Sequence, residues 1–180
     1  MQRSDIVDYA TYDDQRAETR PAALAAKAVR RVHLGDHFTF LFENRETLRY
    51  QIQEIMRVER IVRDADIVHE IDTYNALLGE PGDLGCVLLI EVADPVERAA
   101  ALRSWRELPS TVYVAMDDGS RVNAQFDASQ VGDDRLSAVQ YLRFAVGGRT
   151  PVAVGIDFDG LESEQELNAD QRAALTEDLA

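Results

Sequence analysis

In the first part of the chain, one alternating segment lies between an Ala- and Arg-rich stretch and a stretch whose apolar residues follow helical spacing. That segment, VHLGDHFTFLF, predicts strand structure, with residues 35–36 offering a turn or a bulge. The preceding DDQRAETRPAALAAKAVRRV is typical of a helix, with Pro21 as an early break or a first-turn residue. After the alternating segment, the spacing predicts a long helix over about residues 43–63. It predicts a second helix over residues 67–78, capped by Asp66.

Strand patterns dominate after the turn cluster GEPGDLG. CVLLIEVA, LSAVQYLRFAVGG and TPVAVGIDF are predicted strands, and STVYVAMDDGSRVNAQFD is a predicted hairpin that turns at residues 118–119. PVERAAALRSW and NADQRAALTEDLA, the latter capped by Asn168, are predicted helices. This order predicts an α+β fold in which an N-terminal helical layer packs on a mostly antiparallel sheet, with a C-terminal helix. We expect one domain over residues 1–180, mainly helical in residues 1–80 and β-rich in residues 81–180.

The charge is strongly negative and unevenly distributed. The formal net charge is −14 at pH 7. Residues 1–63 carry 11 basic and 10 acidic residues, whereas the remainder carries 8 basic and 23 acidic residues. This balance argues against nonspecific nucleic-acid binding, which requires a basic surface, and favours a basic partner for the acidic part.

The apolar runs are short and cysteine is nearly absent. No run is long enough to cross a bilayer, and the acidic N-terminal residues do not resemble a signal peptide. We therefore expect a cytoplasmic protein without membrane association. The single cysteine, Cys86, excludes an internal disulfide and a Cys-rich zinc site.

Two glutamates interrupt the apolar faces of the two predicted central helices. Glu59 falls near the centre of the first apolar stripe, and Glu70 lies at the edge of the second. An unpaired, ionised carboxylate in apolar surroundings costs many kcal/mol, so each requires a partner, a proton or a metal ion. The first stripe comprises Leu48, Ile52, Ile55 and Val62, and the second comprises Ile67, Ile71, Tyr74 and Leu78.

The direction of the chain near Ala65 decides what these two carboxylates can do. A reversal at residues 64–66 would form a helical hairpin and bring Glu59 and Glu70 face to face. Carboxylate-bridged metal sites are built in this way between helices, and oxygen-rich ligands suit iron or manganese. Further candidate ligands in that arrangement are Glu54, Glu43 and His69.

A straight helix through residues 64–66 would exclude a shared ion. Glu59 and Glu70 would then lie roughly 16 Å apart, at about 1.5 Å per residue. In either geometry, an arginine could neutralise each glutamate in a buried ion pair. The candidate guanidinium donors are Arg57, Arg60, Arg63 and an arginine of the N-terminal segment. A protonated glutamate that acts as a catalytic acid is a third possibility.

Several motifs together resemble domain-of-unknown-function family 3501, an uncharacterised bacterial family. They are RRV, LFEN, YQIQE, R-x-E-R, E-x-x-x-YN and SAVQYLRF, spread over nearly the whole chain. Genes of that family tend to lie near those of rubrerythrin-like and iron–sulfur proteins, so the resemblance implies such partners by association alone. The residues that carry it are mostly polar and lie on the predicted central helices. They are Glu43, Gln51, Glu54, Arg57, Glu59, Glu70, Tyr74 and Asn75.

The patterns and the resemblance together suggest three functions, of which the iron or redox role is what the resemblance implies. The first is an accessory protein of an iron or redox system, with a carboxylate-rich pocket for iron or manganese in which Arg57, Tyr74 and Asn75 contact a bound group. The second is a metal-free interaction module whose Glu/Arg cluster is structural and whose acidic part docks a basic partner. The third is an enzyme that uses a carboxylate as a general acid.

Overall fold

The computed structural model describes residues 1–180 and contains two four-stranded antiparallel sheets and five α-helices. The helices are α1 (Tyr9–Ala28), α2 (Arg45–Glu59), α3 (Asp64–Leu78), α4 (Pro95–Ser104) and α5 (Ala169–Asp178). The strands are β1 (Arg31–Leu34), β2 (Phe38–Glu43), β3 (Leu84–Ile90), β4 (Val112–Ala115), β5 (Arg121–Asn123), β6 (Val139–Phe144), β7 (Ala153–Ile156) and β8 (Ser163–Glu166).

The main hydrophobic core lies between the two sheets. The first sheet has the order β1-β2-β3-β6, and the second has the order β5-β4-β7-β8. Alternate residues of the first sheet, such as Phe40 and Leu88, face Val114 and Val154 of the second, and all four are fully buried. Helices α4 and α5 extend this core. Strands from both predicted halves of the chain therefore share one sheet and one core.

The other face of the first sheet carries the helical layer formed by α1, α2 and α3. Helices α2 and α3 share a small second core that contains Ile52, Met56, Ile67 and Ile71. The end of α3 packs so closely on β3 that a Cβ atom at Gly85 would overlap the backbone of α3. Glycine is required at this point of contact between the helix and the sheet.

The predicted α+β class is confirmed, including the helical layer, the antiparallel pairing and the C-terminal helix. The possible turn at residues 35–36 separates β1 from β2, and Gly119 forms the β4–β5 turn with a φ of 81°. Asn168 caps α5, as predicted, by accepting from the backbone N–H of Gln171.

Several predicted boundaries are wrong. Pro21 lies inside α1 rather than at its start. Glu43 ends β2, and Asn44 caps the following helix. The observed helix α2 therefore starts later and ends earlier than the predicted helix over residues 43–63. The break falls at Arg60, which has a left-handed φ of 53°, and α3 then begins at Asp64 without the predicted Asp66 cap.

A buried ion pair joins α5 to the helical layer. Arg30 donates from Nε and Nη2 to the two carboxylate oxygens of Asp178 at 2.7 and 2.8 Å. The two side chains are 6% and 8% exposed, and Asn44 donates to the same carboxylate at 2.9 Å. Bidentate geometry of this kind fixes both position and orientation. The pair therefore locks α5 against the start of α2.

Candidate functional site

The clearest charged network lies between α1 and α2 and is centred on Glu54. Arg16 donates from Nε to Oε1 of Glu54 at 2.6 Å and from Nη2 to Oε2 at 3.1 Å. The hydroxyl of Tyr12 donates to Oε1 at 2.7 Å, and Arg57 approaches Oε2 at 3.4 Å. Arg57 also lies 3.7 Å from Asp13. Both carboxylate oxygens of Glu54 are thus occupied by donors from the chain itself.

The electrostatics of this network hold Glu54 in its charged form. Burial alone would raise its pKa, but hydrogen bonds from Arg16 and Tyr12 and the charges of Arg16 and Arg57 lower the pKa to about 2. Burial and the neighbouring Glu54 carboxylate raise the pKa of the Tyr12 hydroxyl, which therefore remains a donor. Glu54 is consequently ionised at neutral pH.

A second polar group, the Lys27 cluster, comprises Lys27, Glu43, Gln51 and Tyr74. The ammonium of Lys27, the only lysine, lies 3.4 Å from Oε1 of Glu43 and 3.2 Å from Oε1 of Gln51. The side chain of Glu43 is 5% exposed, and its Oε2 has no hydrogen-bond partner. A buried acceptor without a partner is uncommon and costs free energy.

Tyr74 is the member of this cluster that lies on α3. Burial, followed by the nearby Tyr141 and Glu70, raises the pKa of its hydroxyl to about 12. The half-buried Glu70 is therefore close enough to influence Tyr74 electrostatically. Of the polar residues that carry the family resemblance, Glu43, Gln51 and Tyr74 come together here.

The prediction that Glu59 is withdrawn from water is wrong. Glu59 is exposed at the last position of α2, and Val58 and Val62 beside it are 68% and 70% exposed. The apolar stripe of α2 runs through Ile52 and Met56 and stops before Glu59, because the helix ends there. The apolar pattern that continued to Val62 in the sequence does not continue as a helix.

Two further predicted site residues, His69 and Asn75, have other environments. His69 is exposed on α3. Asn75 accepts from the backbone nitrogen of Met1 at 2.6 Å and donates to its carbonyl oxygen at 2.9 Å. No group of three or more His, Cys, Asp and Glu side chains is arranged to hold a metal ion. The structure therefore does not assemble the predicted ligand set in one place.

A concavity, here named the α3–β6 cleft, lies between α3, β6 and the segment after β5. Its volume is about 560 Å³. Apolar side chains and polar groups share its lining, as in many ligand sites. The lining residues are Thr73, Ala76, Leu77, Gln125, Phe126, Asp127, Gln130, Tyr141, Leu142 and Arg143. The cleft has no local signal in the sequence, because its walls come from three separate parts of the chain.

Comparison with known families gives one match over almost the full length. Residues 1–179 match the family described as "Protein of unknown function (DUF3501)". The chain belongs to this family. The DUF3501 protein is also similar to a novel protein of unknown function from Burkholderia pseudomallei K96243, known from a crystal structure. The two chains are 29% identical with a TM-score of 0.90, and the similarity covers 100% of this chain and 99% of the other.

Two further findings complete the comparison. No curated protein matches the DUF3501 protein. None of its helices combines the length and apolar character that a bilayer-spanning helix requires.

Proposed function

We propose that the DUF3501 protein is a binding module that uses the α3–β6 cleft and performs no chemistry of its own. The observation that carries this proposal is the cleft itself. Its volume of about 560 Å³ lies within the range of about 300–1,000 Å³ that is usual for ligand sites. Apolar groups such as Leu77 and Phe126 line it together with Arg143 and Tyr141.

The charged network centred on Glu54 supports a structural role for α1 and α2. Donors from Tyr12, Arg16 and Arg57 occupy both oxygens of Glu54, which leaves no acceptor for a ligand. A group that is ionised and fully paired in this way orients helices rather than transferring protons. Binding therefore belongs to a different surface from the one that the sequence pattern emphasised.

Fragment binding followed by NMR tests the proposed site. Phenylacetate and indole serve as probes, because each combines an aromatic body with one polar group. We expect chemical-shift changes to cluster at Leu77, Phe126 and Leu142. Ala76→Trp, which fills the cleft from an exposed position on α3, should abolish them, whereas the matched Ala100→Trp on α4 should not. Changes that map elsewhere, or that persist in Ala76→Trp, would refute the proposal.

An iron or manganese site is the second candidate, and the unpartnered Oε2 of Glu43 favours it. A cation there would gain a buried carboxylate oxygen, but it would have to displace the ammonium of Lys27 from the same carboxylate. The accessory role beside rubrerythrin-like or iron–sulfur proteins depends on this site and stays a prediction.

Elemental analysis of protein purified without chelator tests the metal site. About one equivalent of iron or manganese that is lost in Glu43→Gln, but kept in Glu59→Gln, would support it. Equal metal content in both variants would exclude Glu43 as a ligand.

A further inference from the structure

Strand β6 forms one edge of the first sheet, and its outward backbone groups have unusual partners. The backbone N–H and C=O groups of the even-numbered residues of β6 pair with β3. The corresponding groups of Val139, Tyr141 and Arg143 therefore point away from the sheet. Only Arg143 pairs with another backbone, exchanging hydrogen bonds of 2.9 and 2.8 Å with Gln125. An edge strand of this kind is a template for pairing with another chain.

At Tyr141, a side-chain amide occupies the position of a neighbouring strand. Gln130 accepts from the N–H of Tyr141 at 2.7 Å and donates to its carbonyl oxygen at 3.1 Å. The amide group thus reproduces the donor and acceptor of one peptide unit. Gln130 ends the short 3₁₀ turn Ala128–Gln130, whose other residues are exposed.

Val139 is also satisfied by side chains alone. Its N–H donates to the hydroxyl of Ser137 at 3.2 Å, and its carbonyl oxygen accepts from Gln140 at 3.2 Å. Oε1 of the fully buried Gln140 has no hydrogen-bond partner. No backbone group of another segment hydrogen-bonds to the outward N–H and C=O groups of Val139 and Tyr141.

The same strand exposes apolar side chains beside this open edge. Val139 is 37% exposed and Tyr141 is 44% exposed, and both point to the face that carries the helical layer. Tyr141 and Gln130 also line the α3–β6 cleft, so the open edge and the cleft form one continuous surface. A strand with a free edge, exposed apolar side chains and an adjacent cleft has the features of strand-addition sites.

The charge near this surface favours a basic occupant. The segment after Phe126 contains Asp127, Asp133, Asp134 and Arg135, all exposed, and Asp134 lies 3.9 Å from Arg103. The positive charge of Arg143 is partly offset by Asp83 at 3.6 Å. The whole region after residue 63 has an excess of 15 negative charges. A basic segment would therefore be attracted to this edge, and an acidic one would be repelled.

We propose that an extended, basic peptide segment of a partner protein adds to β6 as an extra strand. Its backbone replaces the Gln130 amide at Tyr141 and the side-chain partners of Val139. Alternate apolar side chains of the peptide pack on Tyr141 and enter the α3–β6 cleft. This inference rests on the proposed function and specifies the chemical class of its ligand.

Fluorescence anisotropy tests this inference with a short labelled peptide of alternating valine and lysine. Its counterpart has glutamate in place of lysine. We expect the lysine peptide to bind and the glutamate peptide not to bind. Gln130→Ala removes two competing hydrogen bonds and should tighten binding by roughly fivefold to tenfold. The matched control is Gln165→Ala on the exposed edge strand β8, which should leave the affinity unchanged.

Amide hydrogen exchange locates the peptide independently of any variant. Added lysine peptide should slow exchange at the N–H groups of Val139 and Tyr141. Absence of binding to both the natural protein and Gln130→Ala would overturn the inference, as would binding that leaves these two amides unprotected. Equal binding of the glutamate peptide would overturn the charge preference. If the small aromatic probes bind in the cleft but the peptide does not bind, the proposed function stands and only the strand addition falls.

Discussion

Glu54→Gln is the most direct test of the charged network between α1 and α2. The substitution keeps the size of the side chain but removes the charge that Arg16 and Arg57 stabilise. A pKa that falls from 4.5 to about 2 on folding corresponds to about 3 kcal/mol, at about 1.4 kcal/mol for each factor of ten. The side chain of Glu54 is only 20% exposed, so solvent screens this energy only in part.

The stabilisation that Glu54 provides depends on pH. The pKa of Glu54 is lower in the folded protein than in the unfolded chain, so folding favours the ionised form. The stabilisation is therefore complete above about pH 4.5 and is lost as the pH falls toward 2. Because solvent screens part of this energy, Glu54→Gln should cost at most about 3 kcal/mol near pH 7 and roughly half of its pH 7 effect near pH 3.

Urea unfolding at a series of pH values measures this difference. Glu59→Gln is the matched control, because Glu59 lies on the same helix but is exposed. It should change the free energy of unfolding by less than about 0.5 kcal/mol at every pH. A loss in Glu54→Gln that stays constant with pH would show that packing, not charge, explains the effect. A negligible loss near pH 7 would refute the electrostatic argument altogether.

Three other predictions concern separate parts of the molecule. Asp178→Ala leaves the buried guanidinium of Arg30 unpaired and should cost about 3–5 kcal/mol in urea unfolding, whereas replacing both residues by apolar ones should cost much less. Gly155→Ala would displace the Tyr113 ring that lies across β7 and should cost about 1–3 kcal/mol, but little when Tyr113 is already alanine. Burial raises the pKa of the Cys86 thiol, so iodoacetamide should react with it only as fast as the native protein opens, and rapid labelling in native buffer would contradict its position in the core.

The element types could be predicted from the sequence, because local pattern determines them. The alternation in β2, the proline at the start of α4 and the Asp-Gly turn after β4 are short-range signals. Strand β8 was not predicted, because its sequence SEQE is entirely polar and exposed. An edge strand with no buried face has no periodic signal.

The candidate site was less accessible to sequence reasoning. The pattern left open whether an arginine neutralises Glu59; in the structure Arg16 pairs with Glu54 instead, and Glu59 is exposed. The difference depends on where α2 ends, and no glycine or proline marks the left-handed residue Arg60. The α3–β6 cleft and the pair Arg30–Asp178 depend on long-range packing, which a local pattern cannot reveal.

The distance along the chain between Arg30 and Asp178 affects how the molecule is made. The two residues are separated by 148 positions, so the guanidinium is synthesised long before its carboxylate. Until α5 arrives, Arg30 must stay hydrated, and the helices around it can reach their final packing only late in folding. Because this ion pair joins residues so far apart along the chain, we expect slow acquisition of native structure and a need for protection during synthesis.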